Sequence, residues 1–182
     1  GDLDGQTNSG YKDVFISKFN PDGTKEWTRL LGSSKDDFAH AIKTGSDGSI
    51  YIAGTTRGDL AGQTNSGNQD AFISKFNPDG TKEWTRLLGS IQNDNATALT
   101  TGSDGLIYIA GYTEGNLDGQ THSGYLWTND AFISKFNPDG TKDWTRLLGS
   151  TQSDGASALT TGSDGSIYIA GSTSGDLDGQ TN

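Results

Sequence analysis

The apolar positions of this chain fall into short runs that return in a fixed order. Between residues 71 and 112 they are Ala71 to Asn77, Lys82 to Leu88, Thr97 to Thr101 and Ile107 to Tyr112. Phe, Ile, Trp, Tyr and Thr dominate these runs, as they do in strands. No window shows apolar residues at helical spacing. Ile107-Tyr108-Ile109-Ala110 is continuously apolar, which suits a strand covered on both faces. Two intervening segments are tight. Asn77-Pro78-Asp79-Gly80 and Gly102-Ser103-Asp104-Gly105 read as hairpin turns with glycine where φ is positive. The other two connections, of the GDLDGQTNSG and GSIQND types, are longer.

This pattern is a repeat. GDLDGQTNSG starts at Gly1, GDLAGQTNSG at Gly58, GNLDGQTHSG at Gly115 and GDLDGQTN at Gly175, at spacings of 57, 57 and 60 residues. DVFISKFNPDGTKEWTRLLGS from Asp13 returns from Asp70 and Asp130 with one change at each step, and TGSDGSIYIAG from Thr44 returns from Thr101 and Thr161. Residues 1–182 therefore form a single repeat region of units 1–57, 58–114 and 115–174, with the start of a fourth at 175–182. A window from a longer array is expected.

Four strands per unit in an all-β chain predict the four-stranded antiparallel blades of a β-propeller. A sandwich would not need such equal units, and a β-solenoid would have a shorter period. The pair DAFISKFNPDGTKEWTRLLGS and TGSDGLIYIAG, recurring over the whole chain, resembles the bacterial SBBP repeat, named for a seven-bladed β-propeller. The resemblance implies a propeller scaffold with no particular activity, in an extracellular or cell-surface bacterial protein. It also implies that ATALTTGSDGLIYIAG is the inner strand pair of a blade and DAFISKFNPDGTKEWTRLLG the outer pair. On that reading the chain opens with an outer pair, holds two full blades and closes on an inner pair. These twelve strands make three blade-equivalents, an incomplete ring. Both ends would expose unpaired strand edges, which invite association. Further repeats of the same chain, or other copies of it, are expected to close the ring. Two copies give six blades and three give nine.

Composition narrows the partners. The 182 residues carry 23 Asp and Glu against 13 Lys and Arg, a net charge of −10. Nucleic acid and anionic membranes would be repelled, whereas small cations would not. No apolar stretch reaches the length of a membrane span, and no N-terminal targeting signal is visible. With no methionine, residue 1 is expected not to be a translation start. The absence of cysteine excludes disulfides, thiolate metal sites and cysteine nucleophiles.

The recurring residues divide into two groups. Trp27, Trp84 and Trp144, with Phe15, Phe72, Phe132 and Phe19, Phe76, Phe136, are expected to pack blade on blade. Arg29, Arg86 and Arg146 lie two residues beyond each Trp, on the same strand face. They could pair with Asp13, Asp70 or Asp130 between blades. The second group sits in the long loops, which share one face of the meander and form the candidate binding face. Asp2, Asp4, Asp59, Asp118, Asp176 and Asp178 could ligate calcium, since a DxDG loop supplies carboxylates with glycine at the bend. They could equally cap turns through their own backbone. Ala61 and Asn116, standing where other units have Asp, weaken the metal reading.

One unit departs from the pattern. Unit three has Tyr125-Leu126-Trp127-Thr128-Asn129 where unit two has Asn68-Gln69. Tyr125, Trp127 and nearby His122 are candidate contacts for a sugar or a protein partner, although Trp127 could also fold back and pack locally. His40 and His122 occupy different unit positions and share no constellation. Catalysis needs different residues in different roles around one point, and here nearly every position recurs. A non-catalytic scaffold or binding module is therefore expected. A carbohydrate-binding propeller with one weak site per blade is the alternative, with a hydrolase or lyase site on the ring axis further behind.

Overall fold

The computed structural model describes residues 2–182. Its strands are β1 (Val14–Phe19), β2 (Lys25–Leu31), β3 (Asp37–Thr44), β4 (Ile50–Thr56), β5 (Asp70–Phe76) and β6 (Lys82–Leu88), followed by β7 (Asp94–Thr101), β8 (Ile107–Thr113), β9 (Asp130–Phe136), β10 (Lys142–Leu148), β11 (Asp154–Thr161) and β12 (Ile167–Thr173). They form two four-stranded antiparallel sheets, β3-β4-β5-β6 and β7-β8-β9-β10, flanked by the pairs β1-β2 and β11-β12. Each full blade thus joins the inner pair of one unit to the outer pair of the next. No helix among the described residues is long and apolar enough to cross a membrane.

Blades stack face to face, with the first strands of successive inner pairs in series: β7 lies against β3, and β11 against β7. One core cluster joins Ala71, Ile73, Trp84 and Leu88 of the first full blade to Ile107, Ile109, Phe132 and Phe136 of the second. A second joins Val14, Ile16 and Leu31 of β1-β2 to Ile52, Leu60, Phe72 and Phe76. Phe72 and Phe132 are completely buried. Burial of one such ring contributes on the order of 2–3 kcal/mol.

The inner strands start earlier than the apolar pattern suggests, at Asp94 rather than Thr97. A β-bulge between Ala96 and Ala98 breaks the two-residue alternation and hides the strand's first half. The same shift recurs at Ala39/Ala41 and Ala156/Ala158. It also explains the glycine of IYIAG. A Cβ at Gly111 would lie 1.8 Å from the Asn95 carbonyl oxygen of the bulged strand.

Tryptophan ties blade to blade. Trp84, on the outermost strand β6, lies over the PDG turn of the next blade, where a Cβ at Gly140 would meet the indole at 2.8 Å. Trp27 covers Gly80 in the same way. The arginines take a different partner from the expected carboxylates. Arg86 stacks on its own Trp84, 5.5 Å from the ring centroid. Its Nε donates to the Gly140 carbonyl at 3.0 Å. Arg29 reaches the Asp79 carbonyl at 3.3 Å. The carboxylates of Asp13, Asp70 and Asp130 are occupied elsewhere, accepting the backbone N–H of Ser9, Ser66 and Ser123 at 2.8 Å each.

Candidate functional site

The topology puts the short PDG and SDG turns at one end of the blades and the long connections at the other. Each GDLDGQTN segment is a small hairpin of its own. Leu60 and Gln63 exchange both backbone hydrogen bonds at 2.9 Å, as do Leu117 and Gln120 at 3.1 and 2.9 Å. The two residues between them have positive φ in every copy: Asp4 and Gly5, Ala61 and Gly62, Asp118 and Gly119, Asp178 and Gly179. This is the geometry of a type I′ turn, for which Asp-Gly is a preferred pair. Leu60 and Leu117 are fully buried between blades, so the loop is pinned at its root.

Five of the six aspartates proposed for calcium have separate tasks. Asp59 Oδ1 accepts the N–H of Asn65 at 2.9 Å, and Asp2 and Asp176 accept from Asn8 and Asn182. Asp4 is paired with Lys25 and Thr28, and Asp118 with Lys142 and Thr145. The Lys25 ammonium, then the Thr28 hydroxyl, holds the Asp4 carboxyl below its ordinary range. Calcium takes six to eight oxygens. Among the described residues no three His, Asp or Glu side chains converge closely enough to hold a metal ion. A carboxylate already neutralised by lysine does not fit that donor set.

Unit three behaves differently. Thr128 donates to the Tyr125 carbonyl through its backbone N–H at 3.2 Å and its hydroxyl at 2.8 Å. This closes a turn on Leu126 and Trp127, and Trp127 sits at φ 74°. A large side chain in the left-handed region is disfavoured and persists only where its surroundings hold it. The turn directs all three side chains outward: Tyr125 is 72%, Leu126 75% and Trp127 75% exposed. Trp127 does not fold back. His122 stands below, where units one and two have Asn8 and Asn65. Its Nε2 donates to the Thr128 carbonyl at 3.0 Å and lies 3.6 Å from Asp130 Oδ1. The imidazole therefore braces the turn.

Tyr125 and Leu126 form one wall of an open cleft of about 620 Å³ between the long loops of units two and three. Ile91, Gln92, Glu114 and Asn116 also line it. Three of these escaped the sequence reading. Ile91 is 78% exposed, and units one and three have Ser34 and Thr151 at its position. Glu114 replaces Arg57 and Ser174, and accepts from Asn93 Nδ2 at 2.7 Å. Several positions where the units disagree thus meet at this junction. Comparing units position by position would have flagged each of them, but not their proximity.

Comparison with known proteins agrees with this architecture. A family model described as a β-propeller repeat, SBBP, matches residues 26–61. A second, described as a domain of unknown function (DUF5122) β-propeller, matches residues 45–83. The regulatory protein FlaEY of Caulobacter vibrioides is 31% identical over 183 residues, covering 94% of this chain and 19% of that protein. The uncharacterized WD repeat-containing protein L264 of Acanthamoeba polyphaga mimivirus is 25% identical over 169 residues, covering 79% of this chain and 12% of its own length. The chain spans less than a fifth of either relative.

Proposed function

This chain is built of β-propeller repeats, and we propose that it works as a non-catalytic binding scaffold whose contact site is the unit-three loop and the cleft beside it. One observation carries this reading: the exposed residues Ile91, Tyr125, Leu126 and Trp127, all departures from the repeat, cluster on the long-loop end. Rigid aromatics on a braced turn suit recognition, because little side-chain entropy is lost on contact. The polar residues recur from unit to unit in turns and junctions, whereas catalysis needs different residues in different roles around one point. A relative named as a regulatory protein fits a binding role. The proposed setting is a surface or secreted bacterial protein.

A carbohydrate ligand is the second reading. It is favoured by the Tyr125 ring standing beside Gln92, Glu114 and Asn116 in one cleft, since sugars stack an apolar face on an aromatic and bond their hydroxyls to such groups. The test is a glycan array and a panel of purified surface proteins, probed with the chain and with a Tyr125→Ala/Trp127→Ala variant. Binding that falls at least tenfold in the variant, with an unchanged melting temperature, supports the site. Hits among glycans or among proteins decide between the two readings. Binding indifferent to the variant overturns the site, and substrate turnover by the chain overturns the scaffold.

A further inference from the structure

We infer that the cleft between units two and three receives an arginine side chain carried on an extended segment of a partner protein, with Glu114 as its counter-ion and Tyr125 as its stacking face. The inference rests on the reading of that cleft as the contact site, and names what enters it. Both walls belong to the two complete blades and the link between them. Ser66 comes from the first blade, Glu114, Asn116 and Tyr125 from the second, and Ile91 and Gln92 from the connection of β6 to β7. Glu114 is the one carboxylate in the lining of the cleft, which holds no lysine or arginine. Its Oε2 accepts from the side-chain amide of Asn93 at 2.7 Å. Among the described residues no ion pair involves it.

Comparison of the units points the same way. Unit one has Lys35, Asp36 and Arg57 where unit two has Gln92, Asn93 and Glu114, and unit three has Gln152, Ser153 and Ser174. In unit one the charges answer each other. The Arg57 guanidinium lies 3.4 Å from Asp36 Oδ2, and its Nε donates to Gln69 Oε1 at 3.3 Å. In unit three the same places are neutral. Unit two keeps the backbone: the Glu114 N–H donates to the Asn93 carbonyl at 2.9 Å, as the Arg57 N–H does to the Asp36 carbonyl at 3.0 Å. The side chains are inverted on that frame. The acidic residue has become a neutral amide, and a carboxylate stands in place of the guanidinium. One unmatched negative charge is left facing the cleft. A second acidic group lies behind it: burial raises the Asp94 carboxyl, and the charge of Glu114 adds to that rise. A cation held at Glu114 would offset both.

The surroundings of Glu114 fit a guanidinium better than a sugar or a metal ion. A guanidinium is planar and weakly hydrated, pairs with a carboxylate through two N–H groups, and stacks on aromatic rings. The chain already uses this combination, since Arg86 lies over the Trp84 ring at 5.5 Å while its Nε donates to a carbonyl. In the cleft the Tyr125 ring supplies the stacking face, and Ile91 and Leu126 expose apolar surface to flank the alkyl stem. Gln92 and Asn116 offer amides to the main chain of the incoming segment. A sugar hydroxyl can bond Glu114, but it leaves the desolvated charge without a counter-ion. A metal ion needs several more oxygen ligands than one carboxylate supplies. The net charge of −10 draws a basic segment toward the chain before contact is made.

The test uses the whole chain and an array of short peptides of varied sequence, each made with arginine, citrulline, lysine or glutamate at its central position. Citrulline keeps the shape of arginine and removes its charge. Arginine peptides should bind at least about tenfold more tightly than their citrulline twins, and the preference should shrink in high salt. Glu114→Ser installs the residue that unit three carries at this position. It should still melt cooperatively and should bind arginine and citrulline peptides equally. Glu114→Arg, which matches unit one, should turn the preference toward glutamate. Binding of peptides or glycans that falls in Tyr125→Ala/Trp127→Ala but shows no preference for arginine would overturn this inference and leave the cleft as the contact site. Binding indifferent to both Tyr125→Ala/Trp127→Ala and Glu114→Ser would overturn the two together. No peptide binding, or an arginine preference that survives Glu114→Ser, would also overturn the inference.

Discussion

The indole Nε1 of Trp84 donates to the carbonyl of Pro138 at 3.2 Å, joining the outermost strand of one blade to the turn of the next. The bond works together with the ring's contact over Gly140 and with Arg86, which reaches the same turn. Trp84→Phe keeps most of the packing and loses the bond, at a cost of about 1 kcal/mol. Trp84→Ala opens a cavity at the junction and should cost about 3–5 kcal/mol. Trp144→Ala should cost distinctly less in this chain, because Trp144 is only half-buried. Denaturant unfolding of the three variants checks the order, and equal losses at Trp84 and Trp144 would contradict it.

Ala61 is the one non-glycine, non-Asp residue at the first turn position of the four loop hairpins, at φ 52°. Alanine gains nothing from the left-handed region, whereas asparagine tolerates it through local hydrogen bonding. Ala61→Asn should therefore stabilise by about 0.5–1 kcal/mol and raise the melting temperature by roughly 2–4 °C. Ala61→Asp should rise further at low salt, since Asp4 and Asp118 pair with Lys25 and Lys142 and Lys82 stands at the matching position of unit two. The extra gain should vanish in high salt. A drop in either variant would show that the turn is strained for another reason.

Much of this architecture was legible in the sequence because it repeats. The period, the strands and the packing role of Phe72, Phe132 and Trp84 follow from the repeated apolar pattern, and the blade phasing follows from the resemblance to the SBBP repeat. What stayed hidden is what distance in the chain conceals. Thr97 marks a bulge, and a bulge erases the alternation that identifies a strand. Ile91 and Tyr125 are 34 positions apart, and only the folding of β7 and β8 brings them to one cleft. The DxDG pattern leaves two uses open, because turn formation and metal ligation favour the same residues. Ala61 bears on the choice, since the turn forms there without its carboxylate.

Calcium should therefore leave the melting temperature of the chain unchanged. A ligand of the folded state alone raises stability by about 2.7 kcal/mol at a hundred times its dissociation constant, which thermal melts resolve easily. Melts with excess calcium and with chelator should superimpose, in the parent chain and in Asp118→Ala alike. An upward shift with calcium that Asp118→Ala or Asp178→Ala removes would restore the metal reading.

Acidity should act on the junctions in the opposite sense to the turns. Asp37, Asp70 and Asp94 are buried, and each has one carboxylate oxygen without a hydrogen-bond partner. Burial raises all three above the ordinary 3.8, with Asp94 facing Asp70 and Asp13 facing Asp37 as further upward influences. The folded chain then binds these protons more tightly than the unfolded chain, so stability falls as pH rises from about 4 through their raised values. The exposed turn aspartates Asp22, Asp79 and Asp139 are lowered by hydrogen bonds from Thr24, Thr81 and Thr141. Their contribution is present above about 4 and is lost as pH falls below it. Melting temperature should peak in mildly acidic solution and decline on both sides. Asp94→Asn should flatten the decline on the neutral side and leave the acid side alone. A profile whose neutral side keeps its slope in Asp94→Asn and in Asp70→Asn would remove the buried carboxylates as its cause.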